Sequence, residues 1–254
     1  MTRSARCLTQ VATVAIALAA VAAFAQVPVG KVASRDSASE LACGARAVGS
    51  PPDMSIRVGA GRERGKSLFG PNEMLVIKAG TLQGMTVGQE YYVRRVVADR
   101  FVQPAGDKLN TSSVHTAGWV RIVDATPDSA VAQVVKVCDA IEEGDYLEPF
   151  VKPVVPEAAT DGEPDFANPG HLVLGDERRQ MAAQGDLMVL DRGSDHGLHA
   201  GQRVTIFRST GGGTGPVARI AEATTLVVNA ETSTIRIDKT SDAVLVGDLV
   251  AIHR

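Results

Sequence analysis

The chain is poor in aromatic side chains, at 4%, and in cysteine, with three, and it carries little excess charge, −3 at pH 7. Few aromatics argue against a broad sugar-binding face, because stacked rings are what cover the apolar face of a pyranose. A near-neutral charge of mixed sign supplies no basic field for nucleic acid and no polybasic patch for a membrane surface. Beyond residue 25 no apolar run is long enough to span a bilayer. Reactive signatures are missing as well: there is no G-x-S-x-G elbow, no H-E-x-x-H pair and no G-x-x-x-x-G-K-[ST] phosphate loop. What the 254 residues do have is 44% hydrophobic content, enough to bury a core and to exclude wholesale disorder.

The N-terminus reads as an address. Arg3 and Arg6 precede an apolar run from Val11 to Phe24, which closes on Ala23-Phe24-Ala25 before Gln26. This pattern predicts a cleavable signal peptide over residues 1–25 and a periplasmic or secreted location, with no transmembrane segment after cleavage. An uncleaved anchor is the alternative, but a run of about 14 residues reaches only roughly 21 Å as a helix, short of a ~30 Å bilayer core. Cleavage removes Cys7 and leaves Cys43 and Cys138, so one disulfide is expected in an oxidising compartment. Two unpaired buried thiols are the alternative.

One segment is written twice. Residues 74–95 read MLVIKAGTLQGMTVGQEYYVRR and residues 187–208 read LMVLDRGSDHGLHAGQRVTIFR. At a constant offset of 113, Gly80, Gly84, Gly88, Gln89 and Arg95 meet Gly193, Gly197, Gly201, Gln202 and Arg208. The match continues through Gly118–Ile122 and Pro216–Ile220 to Gly144-Asp145 and Gly247-Asp248. So long a period fits two tandem domains rather than a solenoid. The repeated glycines are expected at chain reversals, where some positions need φ > 0, with Gly80/Gly193 and Gly84/Gly197 bracketing a loop and Gly88/Gly201 starting the next strand; alternation in Arg203–Ile206 places Val204 and Ile206 inward, with Arg203 and Thr205 outward.

The predicted fold class is all-β: two small barrel-like domains with little helix, closed because short strands leave edges that must be protected. The predicted organisation is an N-terminal extension over 26–54, a first β-domain over 55–149, a linker over 150–169 and a second β-domain over 170–254. Five prolines in residues 149–169 and the acids Glu157, Asp161, Glu163 and Asp165 make the linker extended and solvated. Ser37-Ala38-Ser39-Glu40 resembles a capping box opening a short helix to about Val48. Matching basic stretches, Arg62–Arg64 and Glu177–Arg179, precede the repeated cores.

Chemistry has few footholds. Asp191, Asp195, His196 and His199 have metal-ligand spacing, yet the first copy places Lys78, Leu82, Gln83 and Thr86 there, so the fold does not require a metal and a solvated turn is preferred. Glu142, Glu143 and Asp145 read as a solvated turn rather than a glycosidase pair, and Gly211–Gly215 as a flexible loop without the phosphate-binding lysine. Alternation turns Tyr91 inward and Tyr92 outward. Trp119, the single tryptophan, follows the polar loop Gln103–Thr116 and is read either as core or, with Tyr92, as a binding surface. No catalytic residue, metal ligand or cofactor site is assigned.

The pattern G-x3-G-[LM]-x2-G-Q, an apolar strand ending in Arg, a Ser-Thr strand and a closing Gly-Asp-x-x-Ala resembles the C-terminal domain of flagellar assembly protein T. The resemblance is best over 170–254 and weaker over 56–150. It implies a small β-barrel that works by protein contact in the bacterial envelope, without catalysis, and it carries over no catalytic residue. The flagellar protein has other N-terminal domains where this chain has a second copy. The expected function is therefore a non-enzymatic envelope scaffold with a protein partner, contacted through the loops Gln103–Thr116 and Ser209–Gly215. The alternative is a module for peptidoglycan or an exported polysaccharide, and an enzyme is a third reading. No nucleic-acid partner is expected.

Overall fold

The computed structural model describes residues 37–61, 66–97, 112–176, 179–209 and 215–254. The predicted signal peptide, the basic stretch Arg62–Arg64, residues Glu177 and Arg178 of its counterpart, and most of both predicted contact loops lie outside the described residues. Helix α1 (Ser37–Cys43) is followed by β1 (Arg46–Val48), β2 (Val58–Gly61), β3 (Leu68–Phe69), β4 (Met74–Ile77), β5 (Glu90–Val97), β6 (Ser112–Ala125), β7 (Ala130–Val137), β8 (Ile141–Glu142) and β9 (Tyr146–Pro149). The second half runs β10 (Pro164–Gly175), β11 (Met181–Ala182), β12 (Leu187–Leu190), β13 (Arg203–Ser209), β14 (Val217–Val228), β15 (Ser233–Thr240), β16 (Val244–Leu245) and β17 (Leu249–His253). The protein is all-β, as its sequence predicts.

Both copies use one strand order. The second is a closed six-stranded barrel, β10-β12-β15-β14-β13-β17, and the first follows β2-β4-β7-β6-β5-β9, with β1 added to β6. Val58 N donates to Asp145 O (2.8 Å) and Gly144 N to Val58 O (2.9 Å), bonds that join the two ends of the first sheet. Leu172, Asp248 and Gly247 repeat this exchange at 3.0 and 2.7 Å. Small two-stranded sheets, β3–β8 and β11–β16, flank the two copies. Inward positions fill each interior: Leu75, Ile77, Val93, Val120 and Ile122 in the first, and Leu190, Val204, Ile206, Ile235 and Ile237 in the second. Val204 and Ile206 point inward as alternation requires, while Thr205 faces the other way but is buried.

The repeated glycines do two different things. Gly84 and Gly197 sit at φ 85° and 79° after single turns of 3₁₀ helix, Thr81–Gln83 and Ser194–His196, and Gly88 and Gly201 also have positive φ. Gly80 and Gly193 have negative φ instead, and with Gly84 and Gly197 they bracket the turn. Their requirement is space: a Cβ on Gly80 would lie 2.1 Å from Thr126 O, and one on Gly193 would lie 2.3 Å from Asn229 O.

Three predicted boundaries shift. The helix ends at Cys43 rather than near Val48, because Gly44 N turns back to Glu40 O (3.0 Å) and the chain then pairs as β1 with Ser112–Val114 of β6. Strand β6 begins at Ser112, so Trp119 lies mid-strand rather than at a strand opening. Finally, Pro164–Pro169 belong to β10 and not to a linker. Pro164 takes the first position of the strand and Pro169 falls in the irregularity between Asp165 and Gly170, the two places where a strand tolerates a missing N–H. The remaining linker lies against the second barrel, with Ala159 N donating to Gly201 O (2.8 Å) and Glu163 N to Arg254 O (3.0 Å). Residues Arg35–Arg254 form one compact unit.

Candidate functional site

The N-terminal extension sets the junction between the barrels. Leu41 of α1 packs on Leu187 and Leu226 of the second barrel, and Ala45 and Ala47 pack on Val173, Leu174 and Val189. Ala42 and Cys43, one and two residues after Leu41, meet Tyr92, Trp119 and Phe150 of the first barrel. The short helix therefore presents apolar residues to both bodies. The Cys43–Cys138 disulfide, with Cα atoms 5.5 Å apart, ties the segment to the end of β7 and joins the two cysteines expected to pair. Ala47 O accepts from Thr232 Oγ1 (3.1 Å) and pins the other side.

Tyr92 and Trp119 do come together, but under this wedge. Tyr91 lies in the barrel core as alternation predicts, whereas Tyr92 and Trp119 lie outside the barrel yet are only 6% and 9% exposed. Phe150 stacks on Trp119, with ring centroids 5.0 Å apart, and meets Tyr92 at a tilt, with centroids 4.6 Å apart. The expectation of an aromatic binding surface at Trp119 and Tyr92 is thus corrected, since α1 and Phe150 cover both rings. All three tyrosines and the single tryptophan are buried.

Beside the rings lies a charged cluster that sequence reasoning missed. Arg46 Nη2 and Arg94 Nη1 both donate to Glu148 Oε2, at 2.7 and 2.6 Å, and the Arg94 guanidinium lies 3.8 Å from the centre of the Tyr92 ring. Burial opposes the Glu148 charge, but Arg94 and Arg46 outweigh it and hold the carboxyl below its ordinary value. Burial, then the like charge of Arg46, pulls Arg94 below the usual arginine range. Burial likewise raises the Tyr92 and Tyr146 hydroxyls. The second copy places Phe207 where the first has Arg94, so the repeat gave no signal for the cluster.

A cleft of about 350 Å³ lies alongside the disulfide, lined by Glu40, His115, Lys136 and Asp139 together with Asp176 and Arg179 of the second half. It is polar and carries both signs of charge. A further missed device is duplicated. Arg95 Nε and Nη2 grip the Asp145 carboxylate at 2.7 and 2.9 Å, and Asp145 Oδ2 accepts from Glu142 N (2.9 Å). Arg208 Nε and Nη2 grip Asp248 in the same way, the latter at 2.8 Å, and Leu245 N donates to Asp248 Oδ2 (2.7 Å). Donation to Asp145 and to Asp248 raises the pKa of the respective arginine. Both halves of this clamp were visible as repeated residues; only the pairing of β5 with β9 reveals that they meet.

The spaced acids and histidines of the second copy separate in the fold. Asp191 accepts from His171 N (2.6 Å) and contacts Arg192, while His196 Nδ1 accepts from Gly193 N (3.2 Å). Gln83 Oε1 makes the same bond to Gly80 N (2.8 Å), so His196 stands in a turn-capping position. Among the described residues no three His, Cys, Asp or Glu side chains are grouped for a metal, and no helix is long and apolar enough to cross a membrane. No protein-family model matches the chain, and no curated protein matches it.

Proposed function

We propose that this chain is an exported, non-enzymatic scaffold of the cell envelope that holds a protein partner through the connections following β5 and β13. The observation that carries the reading is the placement of those connections. Strand β5 pairs with β6 up to Val97↔Ser113, and β13 pairs with β14 up to Ser209↔Val217. The two segments of unlike sequence therefore leave corresponding ends of two matched barrels. Common framework with divergent connections is the division of labour expected of a binding scaffold. The signal-peptide pattern supplies the compartment, and the resemblance to the flagellar assembly domain suggests the kind of assembly it serves.

The glycan alternative loses its main support, since Trp119 and Tyr92 offer no ring face to solvent. The test is photo-cross-linking in the native host, with the photoreactive residue placed at Gln103 and, separately, at Gly212. One shared envelope protein joined from both positions supports the scaffold. Absence of any adduct, with the protein sedimenting instead on purified cell wall, overturns it.

A further inference from the structure

The charged cluster itself lines a pocket of about 220 Å³, bounded by the wedge, by β5 and β9, and by Val227 and Thr234 of the second barrel. Leu41, Pro149, Val151 and Val227 form its apolar wall, and Arg46, Arg94 and their shared partner Glu148 line its polar side. Both cations bind the same oxygen of Glu148, the carboxylate that acts on Arg94. Two positive groups on one carboxylate leave about one positive charge without a counter-ion, a costly state when desolvated. Arg94 is fixed as well as buried: its side chain is 7% exposed, Nε donates to Thr116 Oγ1 (3.3 Å) and Tyr92 lies against its face. Tyr92 is held in turn by donation to Val151 O (2.9 Å). Arg46 Nε and the Tyr146 hydroxyl are both buried without a hydrogen bond of normal geometry, and Arg46 acts electrostatically on Tyr146.

Donors remain, then, in a preorganised pocket whose charge is short by one anion and whose wall is aliphatic. A planar carboxylate fits a guanidinium fork, whereas a phosphate brings nearly two charges and three hydrated oxygens to an apolar wall. We infer that this pocket receives a monoanionic carboxylate on a short aliphatic group, with the oxygens on Arg46 and Arg94 and the carbon chain against Leu41 and Val227. The inference goes beyond the scaffold reading and does not depend on it. Such a group could be supplied by a free aliphatic acid or by the C-terminus of a peptide.

The test uses the full disulfide-bonded protein, following arginine Nε–H signals by two-dimensional NMR. Sodium butyrate is expected to shift two of them saturably. Arg94→Lys should weaken binding about tenfold or more, since it loses the fork while keeping the charge. Glu148→Gln should tighten binding severalfold by removing the internal competitor, a gain that a purely structural cluster would not give. Lys78→Met, outside the pocket, should change nothing. N-acetyl-Ala-Val with a free carboxylate, binding more tightly than butyrate, identifies a peptide terminus as the source; the reverse order identifies a free acid. Any of three results overturns the inference: no saturable shift up to about 50 mM butyrate, equal binding of the C-terminally amidated peptide, or an equal response to inorganic phosphate.

Discussion

Removing the Cys43–Cys138 bridge separates two contributions that the wedge combines. The disulfide spans 95 residues, and closing a loop of that length lowers unfolded-chain entropy by about 4–5 kcal/mol in the chain-entropy description. The native wedge has other anchors. Leu41, Ala42 and Ala47 are buried, β1 pairs three residues with β6, and Thr232 bonds to Ala47 O. Burying Leu41 alone contributes about 2 kcal/mol. The double variant Cys43→Ala/Cys138→Ala should therefore keep the native fold while losing about 4 kcal/mol of global stability, and a Tm loss of roughly 10–15 °C follows for a chain of this size. The assay is urea unfolding followed by Trp119 emission. Trp119 is the sole tryptophan and packs in the same cluster as the bridge, so its emission reports the wedge directly. Native-buffer emission should stay that of a buried indole. A stability loss below about 1 kcal/mol would refute the loop-entropy argument, and red-shifted emission before any urea is added would refute the claim that packing alone retains the wedge.

Two further outcomes follow from close approach and from charge. Gly80→Ala should cost more than Gly84→Ala, since the first forces a Cβ to 2.1 Å from a backbone oxygen and the second meets open space at positive φ; expected losses are about 3 kcal/mol or more against about 1–2 kcal/mol, and equal midpoints in urea would contradict the distinction. The lowered Glu148 pKa means that its contribution to stability is present above the ordinary glutamate value of 4.5 and is lost as pH falls through the lower folded value. Glu148→Gln should thus cost stability at neutral pH and converge with the parent in strong acid, and parallel pH profiles would contradict the assignment.

The glycine ladder was legible because it repeats with fixed spacing, and the Cys43–Cys138 pair because only one cysteine, Cys7, stands apart from it, ahead of the N-terminal apolar run. Alternation also sorted Tyr91 from Tyr92 correctly. It could not disclose that α1 and Phe150 cover the outer face, because periodicity identifies a side of a sheet and says nothing about what lies on it. The same limit hid the Arg46–Glu148–Arg94 cluster, whose members lie 102 and 54 residues from their shared partner. Proline density misread the start of β10 for a different reason: Pro164 and Pro169 occupy the positions where the ladder asks for no donor.

The wedge also constrains the order of assembly. Residues 37–48 are synthesised before either barrel, yet Leu41 finds Leu226, and Ala47 finds Thr232, only once nearly the whole chain exists. The first barrel and its cysteine partner at 138 are complete much sooner. Oxidation can therefore stage the segment on the early body, leaving an apolar edge that awaits the late one and exposing the half-made protein to mispairing until synthesis ends.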